Sequence, residues 1–284
     1  MDNWSYTNLV ANHGVGAGEE YRSIYPDLIA QLYSAENLNV DEAIGNADLV
    51  LVHEWNEPGL VSRIGKHHLA NGNYTLLFHD THHRSVTEPE SMARYDLEHY
   101  DGVLAFGESV AEVYRQSGWS KRVWTWHEAA DTRVFRPIQS SEKQGDLVWV
   151  GNWGDDERTA ELREFLIEPV RQLGLRARIH GVRYPPEALE TLAAAGIHYA
   201  DWIPNFKVPE IFSRHHFTVH VPRGPYARAL PGIPTIRVFE ALACGIPLIS
   251  APWQDSESLF EPGRDFLTAR NGEEMKSQMS ILLH

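Results

Sequence analysis

Short, continuous apolar runs recur along this 284-residue chain, with amphipathic stretches between them. The runs fall at 49–53 (LVLVH), 74–79 (YTLLFH), 102–106 (GVLAF) and 122–126 (RVWTW), then at 146–150 (DLVWV), 177–180 (ARIH), 217–221 (FTVHV) and 247–250 (PLIS). Helix-like segments at 19–33, 58–70, 89–99 and 109–117 separate the first set. A half-buried strand alternates apolar and polar residues, whereas a strand buried on both faces reads as one apolar run. The pattern therefore predicts an α/β class with parallel sheets covered by helices on both faces. It pauses over 131–146 (DTRVFRPIQSSEKQGD), a polar stretch with Pro137 and no periodicity. Residues 138–145 accordingly read as a linker between a domain at 1–137 and a second at 146–284, each the size of one doubly wound α/β domain. A doubly wound domain should open with a strand, for which residues 1–10 offer only Leu9 and Val10, and helix-like residues 273–283 close the chain. The expectation is that terminal elements are truncated.

Charge and cysteine content narrow the function. The net charge is −14, and no cluster of Lys and Arg stands out. Nucleic-acid binding needs such a cluster to neutralise phosphates, so no nucleic-acid partner is expected. One local anion site stays compatible with an acidic sum, because helix-start amides can hold a phosphate. The single cysteine, Cys244, excludes an internal disulfide and fits a reducing compartment. No stretch approaches 18 apolar residues, and the N-terminus lacks the basic flank and apolar core of a signal peptide, so a cytoplasmic protein without a transmembrane segment is expected.

Three stretches carry candidate chemistry. In 229–250 (ALPGIPTIRVFEALACGIPLIS), Pro234 stands where a helix begins and Gly245 with Pro247 where it ends. Ile236, Phe239 and Ala243 recur at helical spacing, as a core face would. Arg237 and Glu240 share another face. The free amides of such a helix start suit a diphosphate, and a carboxylate further along can accept both hydroxyls of a ribose. The same spacing also fits an Arg–Glu pair on the surface of an ordinary helix. The second stretch, 150–162 (VGNWGDDERTAEL), reads as a strand end, a Gly turn and a helix capped by Asp155 or Asp156. Glycine there lets backbone approach a ligand closely. The third, 78–84 (FHDTHHR), follows a strand, where open α/β sheets bind ligands. His79, Asp80, His82 and His83 can serve as a site or as turn residues, and with no spaced partner motif a metal is not expected. Weaker positions are the Gly-rich turn 12–20, Arg183 after one strand as a phosphate partner, and Ile203 in 202–206 (WIPNF) framing a base. Each is equally explained by packing or turn structure.

The run Phe-Glu-Ala-Leu-Ala-Cys-Gly at 239–245, behind a Pro-rich turn, resembles the donor-site helix of GT-B glycosyltransferases. It is most similar to retaining family 4 enzymes of the spore-maturation-protein-like (CgeB-type) branch. The resemblance implies two Rossmann-like domains facing across a cleft, with the acceptor on the first and a nucleotide-sugar donor on the second. It gives Glu240 the ribose and Gly232, Ile233, Pro234 and Thr235 the diphosphate. It places Gly151 and Asn152 near the phosphates, His79 and Asp80 beside the transferring sugar, and Arg237 on the donor. It further implies retention of configuration, no metal and no cofactor beyond the nucleotide-sugar co-substrate. The acceptor, whether glycan, lipid, protein or small molecule, stays open. Many relatives carry a sugar-contacting glutamate where this chain has Gly232. That departure keeps two alternatives in view, a GT-B-fold sugar-nucleotide epimerase and a non-catalytic relative that binds a nucleotide sugar or a partner. A dehydrogenase is disfavoured by the missing glycine fingerprint.

Overall fold

Each apolar run becomes a parallel strand. The computed structural model describes residues 4–139, 142–154 and 156–284, so Asp155 and part of the expected linker lie outside the described residues. The chain divides into two compact units, one holding Tyr25–Glu128 and the other Leu9–Ile24 with Ala129–His284.

The first unit has a four-stranded parallel sheet in the order β1-β2-β3-β4, with β1 Leu49–His53, β2 Thr75–Asp80, β3 Gly102–Ala105 and β4 Val123–Thr125. Helices Pro58–Asn71 and Glu108–Ser117 form at the expected places, the first with proline at its start and the second closed by Gly118 at φ +66°. Residues 89–99, expected as one helix, yield a single turn at Pro89–Met92. Val52, Leu76, Phe78 and Val103 are buried with Val61, Val110 and Tyr114 from the helices. The opposite face departs from expectation, because Leu49, Leu51 and Trp124 are exposed. This sheet is covered on one face only.

The second unit has six parallel strands in the order β10-β9-β8-β5-β6-β7. They are β5 Gly145–Val150, β6 Ala177–His180, β7 His198–Tyr199, β8 His215–His220, β9 Leu248–Ser250 and β10 Leu267–Thr268. The short edge strands β7 and β10 lie outside the predicted runs. Alternate residues of β5 enter opposite cores. Leu147 and Trp149 pack with Leu166, Ile179, Phe217 and Met275, while Val148 and Val150 pack with Phe212, Val238, Ala241 and Leu248. Both faces are therefore covered, as the continuous apolar runs require. Phe135 is buried in the second of these cores, ahead of the segment expected as linker.

Leu9 and Val10 belong to helix Trp4–His13 and not to an opening strand. Residues 9–24 join the second unit through rings of His13 and Trp202 (5.3 Å), rings of Tyr21 and Phe206 (6.3 Å) and a Glu20–Lys207 ion pair of 2.8 Å. The helix expected at 19–33 spans Gly16–Ile24 and leaves Leu28, Ile29 and Leu32 exposed. Among the described residues no helix is long and apolar enough to cross a membrane.

Candidate functional site

Strand order in the second unit reverses between β5 and β8: β5 to β7 step one way and β8 to β10 the other. Ligands of doubly wound sheets bind outside the carboxyl ends of the strands at such a reversal. The turns that leave β5 and β6 interlock there. Gly151 N donates to His180 O at 2.8 Å, the Tyr184 hydroxyl donates to Gly151 O at 2.7 Å, and Val182 N donates to Asn152 Oδ1 at 3.1 Å. A Cβ at position 181 would stand 2.0 Å from Gly151 O, so glycine at 181 is what lets the two turns cross.

Arg158 bridges the reversal itself. Its Nη1 donates to Val221 O beyond β8 and its Nη2 to Asn152 O beyond β5, both at 2.6 Å, and its guanidinium lies 5.1 Å from the Trp149 ring. The side chain is buried, and burial lowers its pKa to about 10, which still leaves it a cation at neutral pH. Among the described residues no carboxylate lies within ion-pair distance of it. Buried charges are normally paired, and a cation held only by carbonyls keeps an unneutralised field toward an incoming anion. The sequence signal for Arg158 was one basic residue in an acidic helix start. His180 and His220 flank this place at the ends of β6 and β8. Burial lowers their pKa values to about 4 and about 3, so both are neutral and add no competing charge.

The 229–250 stretch supplies the second part of the site. Gly232 sits at φ +88°, its amide donating to Gln254 O at 2.6 Å. A Cβ there would stand 2.5 Å from Ser256 Oγ and 3.1 Å from Glu257 Oε1. Backbone conformation and space thus both require glycine, and Glu257 brings a carboxylate to where a side chain at 232 would begin. Ile233 and Pro234 are buried, and Thr235 caps helix Ile236–Cys244 without a side-chain hydrogen bond to its first-turn amides. Glu240, 2% exposed, is no surface residue. Its Oε1 accepts from Asn205 Nδ2 at 2.8 Å and its Oε2 pairs with Arg237, whose Nη1 also donates to Asn205 Oδ1 at 2.7 Å. Asn205 completes this triad from the 202–206 stretch, in which the sequence pointed to Ile203 and not to Asn205. The helix is also rotated from expectation. Val238, Ala241 and Cys244 are buried in the core, whereas Ile236, Phe239 and Ala243 are half-buried, with Phe239 against the Phe260 ring (5.6 Å). Ile203 packs against the same core, and Arg183 lies exposed at φ +59° in the turn after β6.

In the first unit, His79 and Asp80 end β2. Asp80 is fully buried, its Oδ2 accepting from the Tyr114 hydroxyl at 2.9 Å and its Oδ1 from His82 N at 3.0 Å. Burial, aided by the charge of Glu54, pushes its pKa up to about 7. It braces the turn from within. His79 is half-buried, and burial lowers its pKa. Its ring lies 5.1 Å from His53 and 5.2 Å from Trp126. His82 and His83 stack at 4.0 Å, and His82 meets Trp55, over which Arg84 lies at 4.4 Å. Two residues that the motif reading missed complete the cluster, His53 at the end of β1 and the buried Glu54 after it. The signal for them was the register, which sets His53 beside His79. Among the described residues no group of three ligating side chains converges as a metal site.

No curated protein matches this chain. Solved structures do. T4 phage β-glucosyltransferase in complex with its UDP-glucose substrate aligns with a TM-score of 0.57 at 14% identity, over 95% of this chain and 84% of that one. Sucrose-phosphate synthase from Thermosynechococcus elongatus aligns at 0.58 and 14% identity, over 88% and 67%. Anabaena HepE in complex with UDP and glucose aligns at 0.57 and 16% identity, over 86% and 69%. The fold is thus the GT-B fold of glycosyltransferases, and residues 158–284 match the family model described as glycosyl transferase-like.

Proposed function

We infer that the chain is a glycosyltransferase taking its sugar from a nucleotide-sugar donor bound to the second unit. The observation that carries the reading is Arg158, a buried cation with no carboxylate partner among the described residues, set across the strand reversal of a GT-B-type sheet. As the bond from sugar to diphosphate breaks, negative charge grows on the leaving group. A preorganised cation and helix-start amides stabilise that charge without reorganising. Arg158 and the loop Gly232, Ile233, Pro234 and Thr235 take the diphosphate, with Gly151 and Asn152 shaping the wall beneath it. In this reading Arg183 lies on the phosphate side and Ile203 on the base side.

Glu240 takes the ribose hydroxyls. Arg237 and Asn205 hold its carboxylate in one geometry beforehand, and the ribose exchanges with one of those partners. Glu257 takes the role at the donor sugar that an acid at position 232 has in many family 4 enzymes, so Gly232 does not abolish chemistry. Leaving-group charge is assigned to these protein groups, with no metal and no further cofactor. The 239–245 run supports placement near the family 4, spore-maturation-protein-like branch. The acceptor belongs to the first unit. A net charge of −14 disfavours a nucleic acid there, although the T4 enzyme is a DNA-modifying enzyme. A cytoplasmic setting fits the single cysteine, Cys244, which is buried.

Thermal-shift screening with UDP-, GDP-, ADP- and dTDP-sugars tests donor binding, followed by nucleotide release with EDTA present. A donor at 100 times its Kd adds about 2.7 kcal/mol of stability. The expected result is a shift with one base, lost in Glu240→Ala, and turnover that survives EDTA. No shift with any nucleotide sugar sinks the reading, and an unchanged shift in Glu240→Ala removes the ribose assignment.

A further inference from the structure

We propose that the open face of the first unit's sheet is a homodimer interface, on which a second copy of this chain packs about a two-fold axis running along the strands. The inference is independent of the glycosyltransferase reading, because every residue it uses lies in the first unit.

Side chains alternate across a strand, and here the two faces meet different fates. Val52, Leu76, Phe78 and Val103 turn into the core. Leu49, Leu51, Leu77 and Leu104 point the other way, where no helix covers them. Trp124 and Trp126 stand beside them at the β4 edge, 45% and 49% exposed, with Leu49 at 52% and Leu51 at 42%. Gly102 makes room for the first of these rings, since a Cβ there would stand 2.3 Å from it. Between the β1 edge and this ridge of tryptophans lie two adjoining hollows, of about 740 and about 320 Å³, which share Leu77 and Leu104.

No carboxylate or ammonium group interrupts the centre of the face, where β1, β2 and β3 present Leu, Thr, Gly and His. Charge stands at opposite margins. Asp48, just ahead of β1, is exposed and has no ion pair among the described residues. Arg122, just ahead of β4, has a side chain 63% exposed and pairs with Asp101 at 3.6 Å.

A second copy fits this pattern. A two-fold axis along the strands lays β1 of one copy over β4 of the other, and β2 over β3. Each ridge of Trp124 and Trp126 then enters the other copy's hollow above Leu49 and Leu51. Arg122 of each copy comes to the edge that carries Asp48 of the other, twice over by symmetry. Stacked sheets pack in this way about 10 Å apart. The size is also right. Four strands about 4.8 Å apart, over about seven residues at about 3.3 Å each, have a footprint of roughly 450 Å², which side-chain relief raises to roughly 700 Å² of accessible surface. A standard interface takes about 800 Å² from each partner, and obligate dimers take more. The dimer therefore exchanges with monomer in roughly the micromolar range. An apolar, Trp-bearing centre with charge only at the rim is the composition such an interface has. A single amphipathic helix, about 10 Å across, covers only half of the sheet and leaves the two charged margins unmatched.

Sedimentation velocity of the intact chain from about 1 to about 200 µM tests this, and the sedimentation coefficient is expected to rise with concentration to that of a dimer. Leu51→Glu, at an exposed position, should raise the dimer dissociation constant at least ten-fold while the melting temperature of dilute protein stays unchanged. Leu49→Arg repeats the measurement at a second exposed position, so a folding defect in one variant does not decide the result. Asp48→Arg and Arg122→Asp should each weaken the dimer about three-fold, and the double reversal should restore it. A chain that stays monomeric over the whole range overturns the proposal, as does a dimer indifferent to both leucine substitutions. Reversals that fail to restore one another overturn the two-fold arrangement.

Discussion

Asp80 makes the stability of the first unit depend on pH in a direction opposite to most carboxylates. An exposed aspartate titrates near 3.8, and burial beside Glu54 raises Asp80 to about 7. At about 1.36 kcal/mol per pKa unit, the difference amounts to roughly 4 kcal/mol. Because the folded-state value lies above the unfolded one, this stability is fully present below about pH 3.8 and is lost as pH rises through about 7. The linkage relation places roughly 2–3 kcal/mol of the loss between pH 5 and pH 8. Asp80→Asn removes the titration and preserves the contacts, since its carbonyl still accepts from His82 N and its amide faces the Tyr114 hydroxyl. Hydrogen exchange of the β2 and β3 amides, corrected for intrinsic rates, reports the first unit by itself. The opening free energy of the wild type, measured against that of Asp80→Asn, should fall by roughly 2–3 kcal/mol from pH 5 to pH 8. Parallel pH profiles for the two proteins would refute the buried, proton-binding state of Asp80.

Two further substitutions probe the second unit. Arg158→Met keeps most of the buried volume but leaves Val221 O and Asn152 O without their donor, so urea unfolding should show a loss of about 2 kcal/mol, and nucleotide-sugar binding should fall at least ten-fold by calorimetry. Nucleotide affinity unchanged in a folded Arg158→Met protein would remove Arg158 from the donor site. Gly181→Ala sets a methyl group 2.0 Å from Gly151 O, so the two turns must part, and the urea midpoint should drop by the equivalent of about 2–3 kcal/mol, with weaker donor binding. A stability within about 0.5 kcal/mol of wild type would mean that the turns do not cross as described.

Apolar runs located eight of the ten strands among the described residues but not what covers them. Leu49 and Leu51 belong to a run as apolar as any in the second unit, yet they are exposed, whereas Val148 and Val150 are buried. The reason lies in strand order. Right-handed crossovers that step β1-β2-β3-β4 in one direction put every connecting helix on the same face of the sheet. Covering the other face takes a reversal of direction, which the second unit makes between β5 and β8 and the first unit does not make. That reversal also opens the crevice where doubly wound sheets bind ligands. The candidate stretches at 150–162 and 229–250 could be singled out because they follow strands of the reversing sheet, but the place of Arg158 within the first could not, since it donates to a carbonyl 63 residues away. With no reversal among its described strands, the first unit receives no site from topology. Whatever chemistry it performs must come from side chains gathered at its strand ends, and there His53 and Glu54 depend on a register that brings His53 beside His79, which no spacing within either run encodes.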